Sequence, residues 1–436
     1  MKEILIKKIK NKELKVAVVG LGYVGLPLAI EFAKSGYETV GLDIIEEKVN
    51  SVNSSTNYVA DVLKNELEEV VSSGLMRATI DFSCIQNLDF IAICVPTPLD
   101  HQQPDLTCVK QSLKFISKFL KKNSIIVLES TTYPGTTEGI VKNTIEKNSS
   151  LKCEKDFYLG FSPERVDPGN CRFKIKNTPK IVGAVGKDAL EVIALIYSEI
   201  LRGNVYKVSS PAAAEMEKIL ENTYRNINIA LVNEMAVLCN KMDINIWEVV
   251  EAAKTKPYGF QAFYPGPGLG GHCIPLDPHY LSWKAKEYGF HTSMIEASSA
   301  INDGMSGYCV DRISKILNKF YKPINGSKIL ILGVAYKQDV ADYRESPALE
   351  ILEKLKNLGA LVDFYDPFIS ICVWKDQMLS GVKYMDNTIV GSYDIVVITT
   401  AHSDVDYEMI AKNSKVIFDT RNALKNIEYR DNIELL

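Results

Sequence analysis

The sequence has 436 residues, 46% hydrophobic and 24% charged, with 50 basic against 54 acidic side chains and a formal charge of −4. At roughly 100 to 200 residues per domain, that length suits two to four domains with cores of their own and excludes a small disulfide-stapled module. A near-neutral balance without a Lys/Arg block excludes a broad polyanion-binding surface, so neither nucleic acid nor an acidic membrane is an expected partner.

In chain order, residues 1–8 carry charges where a signal peptide needs an apolar run, and no later run approaches the roughly 18 residues of a membrane span. A cytoplasmic protein is predicted. Residues 15–19 read as a strand, Gly20-Leu21-Gly22-Tyr23-Val24-Gly25 as a glycine turn and the following stretch as a helix stopped at Gly36. A second strand around 39–42 ends at Asp43, the order of a doubly wound dinucleotide-binding unit. Gly20 allows the tight turn, Gly22 lets backbone approach a pyrophosphate, Gly25 brings helix and strand together, and the helix N-terminus stabilises the anion. The plainer alternative is a structural turn. Asp43, at the ribose position, would accept from the 2′-hydroxyl and repel a 2′-phosphate, so NAD is predicted over NADP.

Further strands at 89–95 and 124–128 finish in polar turns, Pro96-Thr97-Pro98 and Glu129-Ser130-Thr131-Thr132-Tyr133-Pro134-Gly135, and ligands bind at such carboxyl ends. The loop Phe161-Ser162-Pro163-Glu164-Arg165-Val166-Asp167-Pro168-Gly169 offers Glu164 as a general base or as a turn carboxylate, and both readings stand. Residues 211–254 are nearly free of Gly and Pro and predict one long helix and one shorter helix, a domain connector that doubles as a dimer face. Lys218 and Asn222 share a face of it. With Ile219, Leu220, Ile227 and Leu231 read as packed, both polar residues line a pocket; the alternative is two solvated side chains.

Residues 264–278, Tyr264-Pro265-Gly266-Pro267-Gly268-Leu269-Gly270-Gly271-His272-Cys273-Ile274-Pro275-Leu276-Asp277-Pro278, form a loop shaped for close approach to a ligand. A helix beginning near Pro278 would favour the Cys273 thiolate as a nucleophile, against the alternative of a buried inert thiol. His272 reads as loop-orienting. The nine cysteines lack CxxC spacing and fit reduced thiols, with no metal site. From residue 328 the opening pattern returns with Gly333 alone of the glycine turn, and Lys337 and Arg344 are candidate contacts to a phosphorylated ligand or else solvated loop charges. The predicted fold class is α/β: two Rossmann-like doubly wound domains joined by a central helical domain with a long helix.

GLGYVGLPLA, FSPERVDPG, AAAEMEKILENTYRNINIALVNEMA, GPGLGGHCIPLDP and GVAYKQDVADYRESPA occur in this order, and with them the chain resembles the UDP-glucose/GDP-mannose dehydrogenase family along nearly its full length. The resemblance implies an NAD-binding domain (1–210), a central dimerisation domain (211–320) and a UDP-sugar-binding domain (321–436). It implies oxidation of a sugar-nucleotide C6 alcohol to the acid with two NAD consumed and no metal, through a thiohemiacetal and a thioester on Cys273. Lys218 matches the oxyanion-stabilising lysine, Asn222 its partner, Asp277 the carboxylate that positions water, Thr131 the threonine holding that water, and Glu164 the base for hydrolysis. Tyr23, Val24, Lys48 and Thr97 join Gly20, Gly22, Gly25, Asp43 and Thr131 as cofactor contacts. Arg165, Tyr264, Gly270, Lys337 and Arg344 join Glu164, Lys218 and Asn222 as substrate contacts. Pro168 stands where UDP-glucose enzymes carry a second glutamate and Leu276 where they tend to carry lysine, departures that look like the branch acting on UDP-N-acetylhexosamines. Within it the chain looks most like enzymes of UDP-N-acetylglucosamine, with UDP-N-acetylgalactosamine and UDP-glucose as alternatives and a catalytically silent sugar-nucleotide sensor as the rival from another class. A homodimer or larger homo-oligomer in surface-polysaccharide synthesis is the implied setting.

Overall fold

The computed structural model describes every residue except 60, 61, 168, 171 and 272, so His272 and Pro168 lie outside the described residues. Eight strands, β1 (Val16–Val19), β2 (Thr39–Leu42), β3 (Met76–Thr79), β4 (Phe90–Ile93), β5 (Ser124–Leu128), β6 (Phe157–Phe161), β7 (Lys180–Ala184) and β8 (Val205–Lys207), form one sheet in the order β8-β7-β6-β5-β4-β1-β2-β3. All neighbours run parallel except β6 and β7. Strands β1, β2, β4, β5 and β6 are buried at every residue. A parallel sheet covered on both faces requires this, and it is why these strands read as unbroken apolar runs. Val16 lies beside both Thr39 and Phe90, so the strand order reverses at β1 and opens a crevice at the carboxyl ends of β1 and β4.

The opening residues form a helix that was not predicted, α1 (Lys2–Lys10), whose Leu5 and Ile9 are fully buried in the core beside Phe32 of α2 (Gly25–Lys34) and Tyr197 of α3 (Lys187–Ile200). Its charges fall outward: Lys2 pairs with Asp188 and Glu191, and Lys8 with Asp89. The long helix is α4 (Pro211–Lys241), 31 residues, followed by α5 (Ile246–Lys254), α6 (Asp277–Ala285) and the 27-residue α7 (Ser293–Lys319), the last also not predicted.

A second sheet, β9 (Lys328–Leu332), β10 (Leu361–Tyr365), β11 (Ile395–Ile398), β12 (Ile417–Asp419) and β13 (Ile433–Leu435), runs parallel throughout in the order β10-β9-β11-β12-β13. Helix α8 (Pro347–Asn357) follows β9 as α2 follows β1. Compactness divides the chain into residues 1–221 with 279–290 and residues 222–278 with 291–436, so α4 begins in one unit and ends in the other. Among the described residues, no helix is long and apolar enough to cross a membrane, no three His, Cys, Asp or Glu could hold a metal ion together, and no cysteine is in a disulfide.

Candidate functional site

The first unit carries the glycine turn. Gly20 has φ +92°, and a Cβ there would sit 2.7 Å from the Cys94 carbonyl oxygen; one on Gly25 would overlap the Gly20 carbonyl. Both glycines are therefore demanded by the protein's own packing. Gly22 differs, because a Cβ on it would meet no protein atom within 4 Å. Space left over this residue, at the mouth of α2, fits close approach of a pyrophosphate. Asp43 accepts from the backbone N–H of Leu21 at 2.9 Å and of Ile45 at 3.0 Å, with Lys48 Nζ 3.6 Å away. This ties the ribose-position carboxylate to the turn and leaves it further lone pairs. Tyr23 is exposed. Thr97 donates to the Thr131 carbonyl at 2.8 Å, joining the loops after β4 and β5, and the Tyr280 hydroxyl donates to the Thr97 carbonyl. Glu215 of α4 accepts from the N–H of Thr137 at 2.8 Å and of Gly135 at 2.5 Å, so the start of α4 clamps the turn that follows Thr131.

Glu164 curls back on its own loop: Oε1 accepts from the N–H of Arg165 and Val166 at 2.7 and 2.8 Å. Arg165 is held by Glu221, by Glu217 at 3.4 Å and by the Pro179 carbonyl at 3.0 Å. Burial, and then the Glu221 charge, push the Glu217 carboxyl up to about 7. Lys218, next along the helix, is buried.

In the second unit, Asn222 is 1% exposed and donates from Nδ2 to Oδ2 of Asp277 at 2.5 Å; Asn226 donates to the Ile274 carbonyl at 3.1 Å. Two asparagines one turn apart thereby fasten the segment that follows Cys273. Cys273 itself is exposed, and its carbonyl accepts from the Asp277 N–H at 2.9 Å at the start of α6. Asn233 accepts from the Gly266 N–H at 2.9 Å and donates to Asn302 of α7, which donates to the Asn226 carbonyl. Leu220 and Leu231, read from the sequence as packed, are exposed at 59% and 55%. The burial of Asn222 comes instead from the loop it binds.

The glycines of this loop let it lie against the residues after β9. A Cβ on Gly271 (φ +83°) would sit 2.7 Å from Tyr336 Cε2, one on Gly270 2.7 Å from Tyr336 Cβ, and the Gly271 N–H donates to the Arg344 carbonyl at 3.0 Å. The Arg344 guanidinium is bidentate to Asp342, with its closest contact 2.6 Å, and Lys337 is half-buried in the same segment. Tyr264 stacks on Trp247, donates to Glu251 at 2.6 Å and accepts from Lys254 at 3.1 Å. A cation that sequence reasoning missed is Arg421, which donates to the Thr399 carbonyl at 2.9 Å and crowds the place a Gly266 side chain would take. Burial lowers its pKa to about 10. At the end of β10, where the first unit has Asp43, Asp366 accepts from Val334, Ala335, Phe368 and Ile369 N–H and lies 3.1 Å from His402 Nε2. Its oxygens are taken up by the protein's own donors and by His402.

Family models of the UDP-glucose/GDP-mannose dehydrogenase family match the NAD binding domain at residues 14–201, the central domain at 212–304 and the UDP binding domain at 330–426. The chain is 36% identical to a UDP-N-acetyl-D-glucosamine 6-dehydrogenase of Pseudomonas aeruginosa over 96% of this chain and 97% of that protein. It is 34% identical to a UDP-N-acetyl-D-mannosamine dehydrogenase of Pyrococcus horikoshii over 94% of this chain and 96% of the other. The solved structure of a UDP-D-ManNAc dehydrogenase from Pyrococcus horikoshii superposes with a TM-score of 0.87, covering 97% of this chain and 99% of that one at 32% identity.

Proposed function

The chain belongs to the UDP-glucose/GDP-mannose dehydrogenase family and is an NAD-binding UDP-sugar dehydrogenase, and from that premise we propose that it oxidises UDP-N-acetylglucosamine at C6 to the uronic acid in two steps. The observation that carries this reading is the fastening of the Cys273 loop to α4 by Asn222–Asp277 and Asn226–Ile274. A nucleophile must be held in place to act, and the polar groups that hold the loop are buried while Cys273 is exposed. Supporting roles divide over 1–210 for cofactor, 211–320 for chemistry and dimerisation, and 321–436 for the UDP moiety.

NAD, when bound over the Gly22 turn with its ribose at Asp43, supplies the hydride acceptor for both oxidations. Lys218, one helical turn before Asn222, stabilises the oxyanions that develop as the alcohol is oxidised and as the Cys273 sulfur adds to the aldehyde carbon. Loss of a second hydride from the resulting thiohemiacetal, with its hydroxyl proton released to water, leaves a thioester. Water held by Thr131 and Asp277 then gives its proton to Glu164 as it attacks, the C–S bond breaks, and the acid departs from the Cys273 thiolate. Lys337, Arg344 and Arg421 supply positive charge for the diphosphate, with Arg165, Tyr264 and Gly270 shaping the sugar subsite.

UDP-N-acetylmannosamine is the second reading, favoured by the 34% identity to the Pyrococcus horikoshii enzyme. Two hexosamines that differ in the placement of one substituent are separated by one or two hydrogen bonds. Initial rates on UDP-N-acetylglucosamine and its manno and galacto epimers, and on UDP-glucose, decide among them. The gluco nucleotide is expected to be fastest, with two NADH formed per sugar. A ratio of one sinks the double oxidation, and no turnover of any of the four favours a sensor.

The exposed stripe Met216, Leu220, Tyr224, Leu231 and Leu238 recurs at helical spacing along α4 and supports a homodimer through that helix, in a cytoplasmic enzyme supplying surface polysaccharide. Leu231→Glu is expected to yield monomers in light scattering; an unchanged mass places the interface elsewhere.

A further inference from the structure

Beneath the loop that carries Glu164, the first unit buries a group of ionisable side chains that the proposed reaction does not use. Glu129, just after β5, is 1% exposed, and Lys180, the first residue of β7, is 5% exposed. Lys180 Nζ donates to Glu129 Oε2 at 2.6 Å, and the Tyr197 hydroxyl of α3 donates to Oε1. The same ammonium lies 3.7 Å from Oε2 of Glu164, a buried oxygen that accepts no hydrogen bond among the described residues. One cation therefore faces two carboxylates. Glu129 with Tyr197 already satisfies a buried lysine, so the approach to Glu164 needs a reason of its own.

Among the described residues, the ionisable neighbours Cys94, Tyr197 and Arg165 are neutral or already paired. Burial pushes the Cys94 thiol and the Tyr197 phenol well above their ordinary values, so both are neutral near pH 7. Arg165, adjacent in the loop, is matched by Glu221 of α4, and Glu217 beside it, whose carboxyl is pushed up to about 7, also lies in the field of Lys218.

We propose that Lys180 is a positioning residue for thioester hydrolysis: anchored by Glu129, its ammonium holds the inner oxygen of Glu164 and so orients the carboxylate that takes the proton of the attacking water. Glu129 tempers that hold by claiming part of the same charge. The inference rests on the reading of Glu164 as the base.

The test uses the full-length enzyme with NAD and whichever UDP-sugar it turns over fastest. Acid-quenched samples, read by intact mass, give the rate at which the Cys273 thioester disappears between pH 5 and 9. Lys180→Met is expected to move the acid limb of that profile up by about one pH unit or more, since an opposite charge at this range favours the ionised carboxylate. Glu129→Gln, which removes the competing carboxylate and leaves the ammonium to Glu164, is expected to move it down. A purely structural role slows both variants with the limb in place, and that result, or shifts in the same direction, overturns the proposal. Should Lys180→Met not fold by circular dichroism, Glu129→Gln decides alone: a downward shift supports the inference and any other result overturns it. Glu164→Gln separates the two layers. If it hydrolyses the thioester at the parental rate, the base assignment falls and the role of Lys180 with it; if it accumulates thioester while the other variants leave the limb unmoved, only the role of Lys180 falls.

Discussion

Asn222 Nδ2 donates to Asp277 Oδ2 at 2.5 Å, so a side chain near the middle of the longest helix holds the first residue of the helix that follows the Cys273 loop. Both partners are buried, Asn222 at 1% and Asp277 at 4%. Replacing Asn222 by alanine deprives Asp277 of that donor and loosens the loop, and a misplacement of about 1 Å costs about 10²-fold in rate where reacting groups must be aligned. The expected result is kcat down about 100-fold with NAD affinity unchanged. A kcat within threefold of the parent would show that the tie has no part in the chemistry.

Cys273 is exposed while the side chains that anchor its loop are buried. Cys273→Ser is expected to lower formation of the acid on the order of 10³-fold or more while NAD and substrate still bind. Product analysis with calorimetry checks it. Acid formed at the parental rate removes the covalent route.

The three glycines after β1 are expected to respond differently to alanine. Gly20→Ala must place a side chain at φ +92° and against the Cys94 carbonyl, so it should destabilise by about 1 to 2 kcal/mol or more. Gly22→Ala meets no protein atom, so melting should change by less than about 0.5 kcal/mol while the Kd for NAD rises at least about tenfold. Gly22→Ala that binds NAD as the parent does would mean that the cofactor does not approach this turn.

These contrasts bear on what the sequence made legible. Fully buried parallel strands such as β4 and β5 appear as short apolar runs, and a turn forced by contact with Cys94 shows as the spacing of Gly20, Gly22 and Gly25, so both could be read directly. The density of glycine and proline around Cys273 likewise marked a loop that packs closely, here against Tyr336. Asn226, Asn233 and Asn302 could not be found in this way, because asparagine inside a helix looks solvated until the loop it binds is known. Lys180 was hidden for a related reason: its partners Glu129 and Glu164 lie 51 and 16 positions away, and only the pairing of strands brings their ends together. Helix α1 was missed because Leu5 and Ile9 make too narrow an apolar stripe to stand out among four lysines.

Glu217 yields a test of stability against pH. Burial and the neighbouring Glu221 raise its carboxyl from 4.5 to about 7, and its Oε2 is buried without a hydrogen-bond partner among the described residues. A carboxyl raised in the folded state binds more protons there than in the unfolded chain, so stability falls as pH rises from about 4.5 to about 7, and the loss is complete above that range. Glu217→Gln removes the titration while keeping an acceptor for Arg165. Relative to the parent, the variant should gain about 1 kcal/mol between pH 5 and pH 8, a figure reduced for the part of the side chain that water still reaches. Melting curves at the two pH values measure this directly. A stability difference of the same size at both would mean that Glu217 is not protonated in the folded state, and that Arg165 neutralises it together with Glu221.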